Sequence, residues 1–169
     1  MSTPPDGRAP VVKLLLKRAD NCELVRTDEV LKAAPFVKAL GAKADAVLTI
    51  GVARRYPDRA VLFQQGDAGN SLFFVLRGEV RLSARKGADM VELGAARRGE
   101  VFGEGELLTG EPLRATSAVA QGDVDAVEIP REALLENGAL PRGMAELLRP
   151  IKEARLKALS EMTDFMDRW

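Results

Sequence analysis

Apolar positions along this 169-residue chain change their period twice. Up to about Arg54 they recur at helical spacing, from Ala60 to Ile129 they come in short runs broken by glycine, and from Pro130 the helical spacing returns. The first helical stretch, opened by Pro10, is predicted from Val11 to about Leu24, with Val11, Leu14, Leu15 and Ala19 near helical spacing. Thr27 and Asp28 both have the chemistry of a cap for the next, Glu29 to about Leu40. Pro35 interrupts it; proline lacks an amide donor and suits a first turn, so one helix ends there and another begins. Gly41 is the expected stop. A third helix is predicted over Ala42–Arg54 with Ala46, Val47 and Ile50 facing inward.

After Tyr56-Pro57-Asp58, strands are predicted at Ala60–Gln65, Ser71–Arg77, Glu79–Ala84, Met90–Ala95, Ala115–Ala120 and Asp125–Ile129. Gly66-Asp67-Ala68-Gly69 and Lys86-Gly87-Ala88-Asp89 read as turns, and Gly78 as a tight or bulged connection. Short strands at this density predict a barrel or jelly roll. Beyond them, Pro130-Arg131-Glu132 opens a short helix to about Glu136, which Asn137-Gly138 stops. Another begins near Pro141, a bend is expected at Pro150, and the last segment runs from Ile151 to about Arg168. The fold class expected is α+β, mainly β: an eight-stranded β roll, jelly-roll-like, flanked by N-terminal and C-terminal helices. The tail and first helix are assigned to residues 1–27 and the domain to 28–169, its C-terminal helices starting at about 131.

Composition narrows the chemistry. Lys plus Arg and Asp plus Glu are both 25, and a net charge of zero argues against a broad nucleic-acid surface. There is no histidine, which removes the commonest general base and metal ligand and points away from an enzyme. The single cysteine, Cys22, allows no internal disulfide, fits a reducing compartment and reads as a small buried residue. No secretory signal is visible and Val11–Leu16 is too short for a membrane span, so a cytoplasmic setting is expected.

The densest chemistry lies in Phe102–Ala120, FGEGELLTGEPLRATSAVA. Glu104 and Arg114 stand ten residues apart across a Gly-flanked turn, a pairing suited to a small ligand with a ribose hydroxyl and a phosphate. A carboxylate beside a ribose accepts a hydroxyl proton and is left unsatisfied by a deoxy analogue. Arginine meets phosphate with a planar donor fork. Gly103 and Gly105 let the backbone approach the ligand, and a short helix over about Glu106–Thr109 would aim free N–H groups at the phosphate.

Three blocks carry a resemblance to a known family: Gly66-Asp67-Ala68-Gly69-Asn70-Ser71-Leu72-Phe73-Phe74-Val75-Leu76-Arg77-Gly78-Glu79-Val80; Gly99-Glu100-Val101-Phe102-Gly103-Glu104; and Arg114-Ala115-Thr116-Ser117 followed by Asp123-Val124 and Glu128-Ile129-Pro130-Arg131. Taken in this order, the chain resembles the cyclic nucleotide-binding domain family of catabolite-activator-type and protein kinase A regulatory-subunit-type sensors. The resemblance implies a phosphate-binding cassette in which Glu104 takes the ribose 2′-hydroxyl and Arg114 the cyclic phosphate, with Gly103, Gly105, Glu106, Leu107 and Ala115 completing the ligand site. Alignment forward from Glu104 puts Leu113 in the arginine position. Alignment backward from Asp123-Val124 puts Arg114 there and Ser117 on the usual Thr/Ser position, with one extra residue in the turn; the continuous strand pattern past Arg114 favours this second register.

Two residues depart from the family pattern. Glu106 stands where a small residue is usual and would oppose an anionic ligand; Gly105 replaces a common apolar residue. Cyclic AMP is the ligand implied first, since members selecting cyclic GMP often carry Thr where this chain has Ala115. Adenine contacts would come from Ser160 or Thr163 on the final helix. No metal or cofactor is implied. The alternative is a degenerate cassette in which Glu104 caps a helix and Arg114 pairs with Glu104 or Glu106, leaving an interaction or scaffolding module.

Ile151, Arg155, Ala158, Leu159, Met162, Phe165, Met166 and Trp169 lie along one stripe of the final helix. That face must be covered, by capping the roll or by pairing with its copy in a homodimer. The chain ends at Trp169, before the helix-turn-helix that follows this domain in transcription regulators. Direct DNA binding is therefore not expected, and output is expected through an effector protein or a second copy.

Overall fold

The computed structural model describes residues 13–14 and 20–167, with side chains described for 21–161. Strand β1 (Lys13–Leu14) is followed by α1 (Asp20–Thr27), α2 (Glu29–Lys32), α3 (Pro35–Leu40), a 3-10 turn (Gly41–Lys43) and α4 (Ala44–Ile50). Asp28 is the N-cap of α2, its carboxylate accepting from the amides of Val30 at 2.9 Å and Leu31 at 3.0 Å. Pro35 opens α3, as its fixed φ favours. Two helical expectations are corrected here. Lys13–Leu14 is a strand, antiparallel to β2 (Val52–Tyr56), where helix was expected; Val11, Leu15 and Ala19 lie outside the described residues, and the described part of the helix is Asp20–Thr27. The third helix stops at Ile50, and the residues expected to extend it form β2. Sheet pairing overrides the local period: Arg54 and Arg55 of β2 pair across the ladder with Glu128 at 2.7 Å and Asp125 at 2.8 Å. The inward face of α4 is Val47 and Leu48, while Ala46 and Ile50 are exposed.

The remaining strands are β3 (Val61–Phe63), β4 (Leu72–Lys86), β5 (Asp89–Arg97), β6 (Val101–Phe102) and β7 (Ser117–Ile129). They form one antiparallel sheet of seven strands in the order β1-β2-β7-β4-β5, with β3 on β7 and β6 on β4. The described residues hold seven strands where an eight-stranded roll was expected: two pairs of the strands placed from sequence are each one long strand, while β1, β2 and β6 were not placed as strands. Ser71–Arg77 and Glu79–Ala84 fuse into β4, and Ala115–Ala120 and Asp125–Ile129 into β7. Gly78 makes the first fusion possible. Its φ is +91°, register shifts flank it, and a Cβ there would lie 2.4 Å from the Asp123 carbonyl oxygen.

Side chains alternating along β4 serve two cores. Leu72, Phe74 and Leu76 face one, with Leu31, Phe36, Val47, Leu48, Leu134 and Leu148 of the helices. Phe73, Val75, Val80, Leu82 and Ala84 face the other, inside the roll, with Phe63, Phe102, Val124 and Ala126. Helix α1 contributes the buried Cys22 and Val25 to the first core, and the buried Asn21 amide donates to the carbonyls of Leu48 at 2.8 Å and Gly51 at 3.0 Å.

Helix α5 (Glu104–Thr109) bridges β6 and β7; α6 (Arg131–Leu134) and α7 (Arg142–Asp167) close the chain. Helix α7 runs through Pro150, where a bend was expected, as one element. A proline in a helix removes one backbone bond, and here Leu147, Leu148 and Ile151 pack on the first core on both sides of it. Ala158 and Leu159 lie against the second core, so the stripe covers its own roll as far as Leu159. The Met162, Thr163, Phe165, Met166 and Trp169 side chains lie outside the described residues.

Candidate functional site

Strand β6 delivers the chain to Gly103, whose φ of +84° makes it the left-handed N-cap of α5. Only glycine fits: a Cβ would lie 2.8 Å from the Ser71 carbonyl oxygen and 3.0 Å from Arg114 Nη1. The reversal places Glu104, Gly105 and Glu106 in the first turn of α5, two residues earlier than the sequence predicts. Glu104, Glu106 and Arg114 are 4%, 3% and 4% exposed, so each charge needs a partner.

Arg114 sits behind α5 with both terminal nitrogens of its guanidinium engaged. Nη1 donates to Glu106 Oε2 at 3.2 Å and to the Gly103 carbonyl at 3.4 Å; Nη2 donates to the Ser71 carbonyl at 3.0 Å and to Ser71 Oγ at 2.9 Å. Its planar face lies on the Phe63 ring, 4.2 Å from the centroid, and Phe63 leans on the stacked Phe73–Phe102 pair. Ser71 Oγ in turn donates to Glu128 Oε2 at 2.6 Å, and Glu128 accepts from Arg54. Charges thus alternate from Arg54 through Glu128 and Ser71 to Arg114 and Glu106. The other Glu106 oxygen accepts from the Ala115 amide at 2.7 Å.

Glu104 does not cap α5; it is paired with Arg155 of α7. Arg155 also donates to the Val101 carbonyl at 3.0 Å, so one side chain pins α7 to the cassette at two points. Between α5, the roll and α7 lies a recess of about 110 Å³, lined by Gly103 to Glu106, Ala115 and Thr116 on one side and by Lys152, Arg155, Leu156 and Leu159 on the other. Ligand sites are more often about 300–1,000 Å³. Leu156, on the α7 side of the lining, is 54% exposed.

Of the residues assigned from sequence, Gly103, Glu104, Gly105, Glu106 and Ala115 line this recess. Arg114 lies behind Glu106 and does not line it. Leu107 does not either: it is buried in the first core, where it anchors α5. Gly105 has open space at its Cβ position, so no packing contact demands glycine there. Ser117 Oγ accepts from the Gln65 amide at 2.9 Å, and Ser160 is exposed and away from the recess lining. Leu113, which the forward alignment puts in the arginine position, is exposed.

Arg155, Lys152, Ser71 and Phe63 were not assigned roles from sequence. Arg155 carried a signal: a guanidinium in an apolar stripe must find a buried carboxylate. Among the described residues no cluster of His, Cys, Asp and Glu is suited to a metal ion, and no helix is long and apolar enough to cross a membrane.

Comparison with known proteins places this geometry. Residues 53–137, half of the chain, match the cyclic nucleotide-binding domain family. The chain is 35% identical over 134 residues to a cyclic AMP receptor protein of Thermus thermophilus, covering 75% of this chain and 62% of that protein. Among solved structures it is similar to the Thermus thermophilus catabolite activator protein, with a TM-score of 0.53, 28% identity and coverage of 80% of this chain and 59% of that one. The regulatory domain of Toxoplasma gondii protein kinase A, solved with cyclic AMP, shares the fold with a TM-score of 0.60 at 18% identity, covering 83% of this chain and 50% of that one. This chain spans less than two thirds of the length of each.

Proposed function

Because the chain belongs to the cyclic nucleotide-binding domain family, we propose that it is a regulatory module that binds a cyclic nucleotide, cyclic AMP first, in the recess beneath α7. One observation carries this reading. Two donors, the Arg114 guanidinium and the Ala115 amide, converge on a single anion position, and the buried carboxylate of Glu104 stands beside it on the recess wall. An anion seat next to a hydroxyl acceptor matches a cyclic phosphate fused to a ribose. The name of the Thermus relative, a cyclic AMP receptor, supports the choice of ligand.

Signalling would follow from the Arg155–Glu104 pair. A ribose hydroxyl taking Glu104 competes with Arg155, and an α7 released from the cassette is a change that an effector protein or second copy can detect. A homodimer through the Ile151–Trp169 segment would have to compete with the chain's own cores, against which Ile151, Ala158 and Leu159 already pack. Light scattering tests that: a monomeric mass at high micromolar concentration refutes the dimer.

A second reading is favoured by the ion pairs. Glu106 holds Arg114 and Arg155 holds Glu104, as a roll retained for protein interaction without a ligand would have them. Calorimetry with cyclic AMP and cyclic GMP separates the two. Heat and a thermal shift with cyclic AMP are expected; neither heat nor shift at millimolar ligand sinks the sensor reading.

A further inference from the structure

Both carboxylate oxygens of Glu106 are engaged, and by the same two donors that would hold the nucleotide phosphate: Arg114 Nη1 at 3.2 Å and the Ala115 amide at 2.7 Å. Both terminal nitrogens of Arg114 are engaged as well. Its Nη2 is committed to Ser71, its Nη1 is shared with the Gly103 carbonyl, and Phe63 covers a face. Glu106 also lines the recess, on the wall a ligand would meet.

We propose that Glu106 is a resident anion that occupies the phosphate seat of the cassette, so that a cyclic nucleotide enters only by displacing it. The inference rests on reading the recess as a nucleotide site. Glu106 is tethered in the first turn of α5, which gives its carboxylate an effective concentration that a free ligand does not match. The binding-competent fraction is the fraction with Glu106 swung out, and apparent affinity falls by that factor. Glu106 is thereby the residue that sets the ligand threshold, and its carboxylate holds α5 and the Arg114 loop together while the seat is empty of ligand.

The test compares the full chain with Glu106→Ala and Glu106→Gln by calorimetry and thermal shift, using cyclic AMP and, separately, inorganic phosphate. Glu106→Ala is expected to bind cyclic AMP at least about 30-fold more tightly than the parent, with a melting temperature raised by either anion. Glu106→Gln keeps a neutral acceptor for one donor, preserves the fold should the alanine variant lose it, and is expected to bind with intermediate affinity. Parent and variants all binding within threefold of one another overturns the resident-anion inference and leaves the sensor reading intact. Binding by the variants alone supports the inference and overturns the sensor reading for the natural chain. Binding by none of them overturns both.

Discussion

Replacing Arg155 by Ala removes the only described cation on Glu104 and isolates the contact that joins α7 to the cassette. The Glu104 side chain is 5% exposed and that of Arg155 15%, so the pair lies largely out of water. Removing one member of such a pair strands the other charge, at a cost of about 3–5 kcal/mol. The bond to the Val101 carbonyl goes too. For a chain of this length each kcal/mol moves the melting temperature by about 2–4 °C, so a fall of about 6–20 °C is expected. A double-mutant cycle with Glu104→Ala isolates the pair: the double variant should lose less than the sum of the singles, by about 1–3 kcal/mol. Affinity should move the other way, because Arg155→Ala frees Glu104 for a ribose hydroxyl. Urea unfolding gives the first quantity and calorimetry with cyclic AMP the second. A coupling below about 0.5 kcal/mol, or an affinity that falls together with stability, would refute the latch.

Three further predictions test the supports of the site. Arg114→Ala leaves Glu106 buried without its cation, so a stability loss of about 3–5 kcal/mol is expected together with a fall in cyclic AMP affinity of roughly 30- to several-thousand-fold; a change under threefold refutes the register that places Arg114 in the seat. Gly103→Ala forces a side chain into a left-handed position 2.8 Å from the Ser71 carbonyl oxygen and should lower stability by about 1–3 kcal/mol in thermal melts, whereas Gly105→Ala, with open space, should be nearly neutral; equal effects would refute the assignment of Gly103 as the obligatory reversal. Hydrogen bonding from the Leu31 amide, and the Arg98 guanidinium beside it, hold the Asp28 carboxyl below its usual range. A depressed carboxylate stabilises the fold above its unfolded pKa and loses that contribution as pH falls through the folded value, so the gap in melting temperature between the parent and Asp28→Asn should shrink from pH 6 to pH 3; a constant gap refutes the cap's role.

The roll was legible as short apolar runs broken by glycine-containing turns. Leu72 to Leu76 alternate between two cores, and the three motif blocks carry the family resemblance. Strand fusion at Gly78 was not legible, because a bulge and a turn both call for glycine, and only pairing with β7 selects the bulge. The start of Val52–Tyr56, as far as Arg54, read as helix because the strand's edges are satisfied by β1 and β7, partners distant in sequence. Leu107 read as a ligand contact by its place in the motif, yet the orientation of α5 sends it into the core.

By itself the sequence determined the kind of protein this is: the order of helices and strands, the absence of histidine chemistry, and the presence in one short segment of Glu104, Glu106 and Arg114. These follow from residue identity and local spacing. Tertiary structure alone decided who pairs with whom. In a water-poor interior each charge takes the partner that geometry brings within reach, so Arg114 went to Glu106 and Ser71, and Glu104 went to Arg155, fifty-one residues away on α7. Ion pairing between elements far apart in the chain leaves no periodic trace in sequence, and that is why the Arg114–Glu106 pair inside the cassette was readable as an alternative while the Glu104–Arg155 pair across to α7 was not.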